Sequence, residues 1–166
     1  MKTTWVLVAD EAIARILEGR KPGEELKPVH EMTDPAAHAD GTDLRRDAYG
    51  RRAGSGTDQT RQNTQHHLLG PSSVTSSAGE EQQHLEAEAF ARRVAEFLAE
   101  SLQQRRYDEL RIAAAPRFLG QLRKALPSQV TDAVVEEVNK DLIHLQAREL
   151  TDRLFPDPRA GGNDAQ

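Results

Sequence analysis

The chain has 166 residues, of which 37% are hydrophobic and 30% are charged, and its formal net charge is −5 with a pI near 5.7. This acidic balance argues against a protein that binds nucleic acid with its whole surface, so contact with a polyanion would require a local basic patch. The sequence has no cysteine, which excludes disulfides and thiol catalysis and is typical of proteins from a reducing compartment.

The first predicted element is a strand over Trp5–Ala9, a continuous apolar run that is typical of a strand buried on both faces. A secretory signal needs roughly 7–15 apolar residues, and a membrane-spanning helix needs roughly 18. This run is shorter than either, and we therefore expect a cytoplasmic protein without membrane contact.

Two further strands are predicted before residue 33. Ala12–Leu17 follows the first strand so closely that an antiparallel hairpin is favoured. Glu25–Met32 is the third, and Pro28 within it removes a backbone donor, which indicates a strand at the edge of the sheet.

Residues 33–82 form a long polar segment without helical or strand periodicity. A segment of this length is unusual in a compact domain and indicates either a functional loop or disorder.

Regular structure is predicted again from about residue 81. The apolar spacing predicts a helix over roughly 81–105, a fourth strand over 109–115, a short helix that begins at Pro116 and closes at Pro127, a fifth strand over 134–138 and a final helix over 145–154. The order predicts an α/β fold, with a mixed sheet of about five strands flanked by about three helices. We expect one domain over 1–155, which contains the 33–82 loop, and a flexible tail over 156–166.

The long loop contains the candidate binding residues, which are arginines and glycines surrounding one tyrosine. Arginine forks bind phosphate, glycine permits close backbone approach, and an aromatic ring can stack on a base. The candidates for an RNA or phosphate site are Arg45, Arg46, Tyr49, Gly50, Arg51, Arg52, Gly54 and Gly56. The alternative is a solvated loop whose aspartates balance its arginines.

Motifs for other chemistry are absent from the sequence. Neither nucleotide-binding glycine fingerprint occurs, and the histidines lack metal-binding spacing. Asp10 and Asp141 follow predicted strands and could together hold Mg²⁺, but two isolated carboxylates are weak evidence because aspartate is a common turn residue. We expect no catalytic residue, no metal and no cofactor, while the roles of Arg117 and Lys140 and the oligomeric state stay open.

Several segments together resemble the bacterial host attachment protein family, also described as protein required for attachment to host cells. They are W-V-L-V-A-D, A-R-I-L-E, D-A-Y-G-R-R, H-L-E-A-E-A-F-A-R-R-V-A-E-F-L, Y-D-E-L-R-I-A-A-A-P-R-F-L-G-Q-L-R and V-N-K-D-L. The resemblance implies a fold similar to the middle domain of archaeal and eukaryotic peptide-release factors and of Pelota. Release factors carry a Gly-Gly-Gln tripeptide in the corresponding loop, and this chain has none, so the hydrolysis of peptidyl-tRNA is not implied.

Three functions follow as expectations. The first is a non-enzymatic, translation-associated protein that contacts ribosomal RNA or tRNA through the loop. The second is an intracellular protein-interaction module with an indirect role in host association. The third is a hydrolase of an RNA or tRNA ester.

Overall fold

The computed structural model describes residues 1–21, 23–36 and 72–156, with side chains in the first long helix described from residue 78 onward. The strands are β1 (Thr4–Ala9), β2 (Ile13–Gly19), β3 (Lys27–Thr33), β4 (Glu109–Ala114) and β5 (Val134–Val138). The helices are α1 (Ser72–Gln103), α2 (Pro116–Ala125), α3 (Ser128–Ala133) and α4 (Ala147–Leu154).

The five strands form one mixed sheet in the order β3-β2-β1-β4-β5. β2 pairs antiparallel with both β1 and β3, whereas β4 pairs parallel with both β1 and β5. This arrangement confirms the predicted α/β fold with a mixed sheet of five strands. β3 is an edge strand, as Pro28 indicated.

Each face of the sheet packs against its own apolar cluster. Side chains of β1 alternate between the faces, so Trp5 and Leu7 join the cluster under α1 and α2, while Val6 and Val8 join the cluster under α4. All four side chains are essentially inaccessible to solvent. The prediction that β1 is buried on both faces is therefore confirmed.

Two arginines hold the C-terminal segment against the α4 face. Arg15 donates from one nitrogen to the carbonyls of Ile143 and Leu145, at 3.0 and 2.7 Å. Arg111 donates to the carbonyl of Leu154 at 2.7 Å and forms an ion pair with Glu136. These carbonyls lie in a turn and at a helix end, so the arginines satisfy backbone acceptors that regular structure does not.

The helices differ from the prediction in two places. α1 begins at Ser72, so residues 72–82 belong to a helix and not to the predicted loop. The described side chains of residues 78–85 are all exposed, and a helical stretch that buries nothing has no apolar stripe to reveal it. α3 was missed, because Pro127 was interpreted as the end of a helix, whereas it also precedes the next one as its N-cap.

Candidate functional site

The carboxyl ends of β1, β3, β4 and β5 lie at one end of the sheet, which we call the carboxyl end. β3 runs in the same direction as β1 because both are antiparallel to β2, and β4 and β5 are parallel to β1. The same end receives the start of α2, which follows β4 after a single residue. Open sheets of this kind commonly bind ligands outside the carboxyl ends of their parallel strands.

An open groove of about 930 Å³ lies at this end between α1 and α2. One wall comes from the exposed early turns of α1, the other from α2, and Glu11 of the β1–β2 turn contributes from the sheet. The lining residues are Glu11, Glu80, Glu81, Gln83, His84, Leu85, Ala87, Arg117, Gly120, Gln121 and Lys124. The volume is sufficient for a small-molecule ligand.

The α2 wall of the groove follows from helical spacing. Arg117, Gly120, Gln121 and Lys124 stand at positions i, i+3, i+4 and i+7, and they therefore share one face of the helix. The opposite face buries Phe118, among others, in the core. A short helix can thus anchor itself in the core and still present a polar face to the groove.

The first turn of α2 carries no side-chain cap within the described part of the chain. Pro116 occupies the first turn and Ala115 stands at the capping position, where it has no side-chain oxygen to accept a bond. Leu119 donates its N–H to the carbonyl of Ala115 at 2.9 Å, and the N–H groups of Arg117 and Phe118 have no acceptor among the described residues. The start of α2 therefore presents a partial positive charge beside the Arg117 guanidinium.

Gln121 is a buried polar side chain with a free acceptor. Only 9% of the residue is exposed, and Nε2 lies 3.1 Å from Nδ1 of His84 on α1. The Gln121 amide donates to Nδ1 of His84 when the imidazole carries its proton on the histidine's own Nε2. Oε1 is buried and has no partner among the described residues. A buried acceptor without a donor is uncommon, since it loses its bond to water.

Gly120 faces open space in the middle of α2. A Cβ placed on it meets no atom within 4 Å. Glycine is a poorer helix former than alanine, and no close approach within the described chain requires its small size. The open position is consistent with a molecule approaching the helix from the groove.

The groove has a mixed electrostatic character. Its charged groups are three carboxylates, from Glu11, Glu80 and Glu81, and two cationic side chains, from Arg117 and Lys124. Such a lining suits a ligand with an anionic group and hydrogen-bond donors.

The carboxylates of Asp10 and Asp141 accept hydrogen bonds within local turns. Asp10 Oδ1 accepts from the N–H groups of Ala12 and Ile13, both at 2.8 Å. Asp141 Oδ1 accepts from the N–H of Ile143 at 3.1 Å. Both are typical turn bonds. Across residues 1–21, 23–36 and 72–156, no group of three or more histidine or acidic side chains is placed to hold a metal ion.

At the opposite end of the sheet, which we call the amino end, polar groups are paired with one another. Asp108 accepts from the N–H of Thr3 at 2.7 Å, and Lys2 donates to Glu109 at 2.8 Å. That bond raises the pKa of Lys2 and lowers the pKa of the partly exposed Glu109 carboxyl. The buried Tyr107 hydroxyl donates to the carbonyl of Leu98 at 2.8 Å, and burial raises its pKa to about 12.

The predicted binding residues Arg45, Arg46, Tyr49, Gly50, Arg51, Arg52, Gly54 and Gly56 lie outside the described residues. Their role in binding stays a prediction. Of the two residues whose roles were left open, Arg117 lines the groove, and Lys140 is exposed in the turn after β5. Sequence reasoning missed Gln121 and His84, although the spacing of A-P-R-F-L-G-Q-L-R already placed Arg117, Gly120 and Gln121 on one helical face.

Residues 5–154 match the model of the family described as protein required for attachment to host cells. No curated protein matches the chain. Among the described helices, none combines the length and apolar character that a membrane crossing requires.

Proposed function

This chain belongs to the family of proteins required for attachment to host cells, and from that premise we propose that it is a non-enzymatic, translation-associated protein. It contacts ribosomal RNA or tRNA through the Arg/Gly segment of residues 45–56. The observation that carries the proposal is where the chain on either side of this segment joins the fold. Both junctions, at β3 before it and at α1 after it, lie at the carboxyl end of the sheet.

The first junction is firmly held. The segment follows β3, where the N–H of Asp34 donates to the carbonyl of Ala12 at 2.8 Å. The Asp34 carboxylate, which is largely buried, lies 3.7 Å from the Arg93 guanidinium of α1 and accepts from the N–H of Ala36 at 3.1 Å. These contacts support a fixed departure point beside the strand ends.

The second junction is the start of α1. Because α1 leads into β4 at the amino end, its early turns stand at the carboxyl end, where residues 80–87 line the groove. α1 has 32 residues and spans about 48 Å, more than twice the roughly 20 Å of a six-residue strand. An extended helix beside a groove is a suitable support for a segment that meets a large partner.

The basic residues of the segment supply the chemistry. Arg45, Arg46, Arg51 and Arg52 are two arginine pairs around Tyr49, and this combination suits phosphate contact with stacking on an unpaired base. The similarity in fold to release factors and Pelota, which the family resemblance implies, supports a partner within the translation machinery. The missing Gly-Gly-Gln supports a binding role without hydrolysis.

Co-sedimentation with ribosomes across a salt series tests the proposal. We expect wild-type protein to sediment with ribosomes at low salt and to dissociate steeply as salt rises, because phosphate contacts release counterions. Changing Arg45, Arg46, Arg51 and Arg52 together to alanine is expected to abolish most of this binding.

A matched variant controls for the loss of charge alone. Arg20, Arg92, Arg148 and Arg153 are exposed arginines on other parts of the fold, and changing all four to alanine removes the same charge. This control is expected to retain ribosome binding. Equal losses in the two variants, or no wild-type binding even at low salt, would contradict the proposal.

A second candidate is a protein-interaction module with an indirect role in host association. It is favoured by the exposed early turns of α1, where 64% of the Leu85 surface is accessible. If a protein partner binds there, we expect its binding to tolerate salt and to be weakened by Leu85→Glu. Salt-sensitive RNA binding that is indifferent to Leu85→Glu would exclude this candidate as the explanation.

A further inference from the structure

The groove between α1 and α2 has four features that contacts among the described residues do not explain. They are the uncapped start of α2, the free acceptor of Gln121, the open position at Gly120 and the mixed charge of the lining. Each is unfavourable or neutral for the stability of the domain alone. Their convergence on one surface indicates a ligand.

The start of α2 defines the anionic part of that ligand. The free N–H groups of Arg117 and Phe118 and the positive end of the helix dipole favour a negative group. Arg117 adds a guanidinium that binds phosphate oxygens in pairs, and Lys124 lies two turns further along the same face. A phosphate is the group that this set of donors recognises best.

Gln121 and the glutamates define the other part. Gln121 lines the groove, and its Oε1, which has no partner among the described residues, accepts an N–H or O–H from the ligand when the carboxamide turns toward the groove. The carboxylates of Glu11, Glu80 and Glu81 are acceptors as well. Amide and carboxylate oxygens accept from the exocyclic amines of bases, and adenine and cytosine present such amines on their edges.

We propose that this groove binds a nucleotide with an exocyclic amine, with the phosphate at the start of α2 and the base against Gln121 and the glutamates. Gly120 lies between these two parts on the same helical face, where a side chain would stand in the path of the ligand. The choice of a nucleotide over another amine-bearing anion rests on the proposed function. The nucleotide is either free or a residue of an RNA strand.

Calorimetric titration with adenosine monophosphate tests the proposal, with cytidine and uridine monophosphates and adenosine as comparisons. We expect the adenine and cytosine nucleotides to bind, because both carry a phosphate and an exocyclic amine. Adenosine and uridine monophosphate each lack one of these groups, and we expect them to bind about tenfold more weakly, the effect of one hydrogen bond to a charged group. Equal binding of adenine and uracil nucleotides, or no binding, would overturn the proposal.

Two variants test the location of the site, and both are expected to fold. Gln121→Leu removes the carboxamide and with it an unpartnered buried acceptor, so the variant is expected to fold while binding adenosine monophosphate about tenfold more weakly. Gly120→Leu places a side chain in the groove and is expected to abolish binding. Gly79→Leu is the control, because Gly79 is another helical glycine with open space around it and does not line the groove. Unchanged binding in Gly120→Leu would overturn the proposal.

A short single-stranded oligoadenylate distinguishes the two sources of the nucleotide. If the oligonucleotide binds more tightly than the mononucleotide and Gly120→Leu weakens both, the groove holds a residue of RNA. If the two bind equally, the groove holds a free nucleotide. The variant with the four loop arginines changed to alanine is expected to keep its affinity for adenosine monophosphate, so failure of this proposal is separable from failure of the ribosome-binding proposal.

Discussion

The two ends of the sheet differ in how completely their polar groups are satisfied. At the amino end, Asp108 binds the Thr3 N–H, Lys2 pairs with Glu109, and the Tyr107 hydroxyl is bonded to a helix carbonyl. At the carboxyl end, Asp10 and Asp34 are also bonded within the fold, but the first turn of α2 has no side-chain cap and Gln121 has a buried acceptor without a partner in the described chain. Residues at the first end stabilise the fold, and residues at the second are available to a ligand.

The amino end also contains stacked aromatic rings. Trp5 stacks on Tyr107 with ring centroids 4.8 Å apart, and the Arg106 guanidinium lies 5.0 Å from the Trp5 ring. Offset aromatic pairs and cation–π contacts add to the burial of apolar area. Substitutions at this end should therefore change stability strongly and ligand binding little, whereas substitutions in the groove should do the reverse.

Trp5→Ala is expected to have the largest effect. Deleting a fully buried tryptophan side chain costs about 3–5 kcal/mol in the free energy of unfolding, because a cavity remains. Urea denaturation followed by circular dichroism measures the loss, since the variant has no tryptophan to monitor. A change of under about 1 kcal/mol would contradict the packing described for this end.

Tyr107 is expected to make stability depend on alkaline pH. Its pKa is raised from the ordinary value of 10 to about 12 in the folded state by burial. Between these values the unfolded chain loses the phenolic proton while the folded chain keeps it, so the free energy of unfolding falls as pH rises.

Tyr107→Phe removes this titration and serves as the control for all other groups. Denaturation of both proteins from pH 8 to 11 should show that the wild type loses more stability above pH 10 than the variant. Parallel loss in the two proteins would show that Tyr107 titrates normally.

Gly120→Ala is expected to increase stability at the carboxyl end. Alanine is favoured over glycine within a helix by about 1 kcal/mol, and the added methyl group meets no atom within 4 Å. Thermal denaturation should therefore show a higher Tm. A lower Tm would mean that Gly120 is required by packing within the protein, which would remove one argument for a ligand.

Leu85→Ala is expected to have the smallest effect. Leu85 is 64% exposed on the early turns of α1, so its truncation should change the free energy of unfolding by less than about 0.5 kcal/mol. Leu98→Ala on the same helix is the matched comparison, because Leu98 is fully buried. Its loss is expected to be about 2–5 kcal/mol. Similar losses at the two positions would contradict the exposure of the early turns.

The buried sheet could be predicted from the sequence because its signals are local. The run Trp5–Ala9 has the continuous apolar character of a strand buried on both faces, and Pro28 marks an edge. The start of α1 could not be predicted in this way. The described side chains of its early turns, residues 78–85, are exposed, so apolar periodicity appears only where packing begins, near Ala87.

The candidate site depends on contacts between distant residues, which periodicity does not report. Gln121 and His84 are 37 positions apart and meet only because α2 packs against α1. A glutamine in a short amphipathic helix is ordinarily a solvent-facing residue, and its burial is a consequence of tertiary structure. The arginine segment presents the opposite case, because its composition indicates a function without reference to the fold.

The salt dependence of binding to single-stranded RNA tests the central claim, that the Arg/Gly segment contacts RNA phosphates, most directly. Fluorescence anisotropy of a labelled oligonucleotide gives the slope of log Kobs against log salt for wild type and for the variant with Arg45, Arg46, Arg51 and Arg52 changed to alanine. Four lost phosphate contacts predict a slope shallower by about 3, at about 0.7 per contact for a single strand. Equal slopes in the two proteins would contradict the claim.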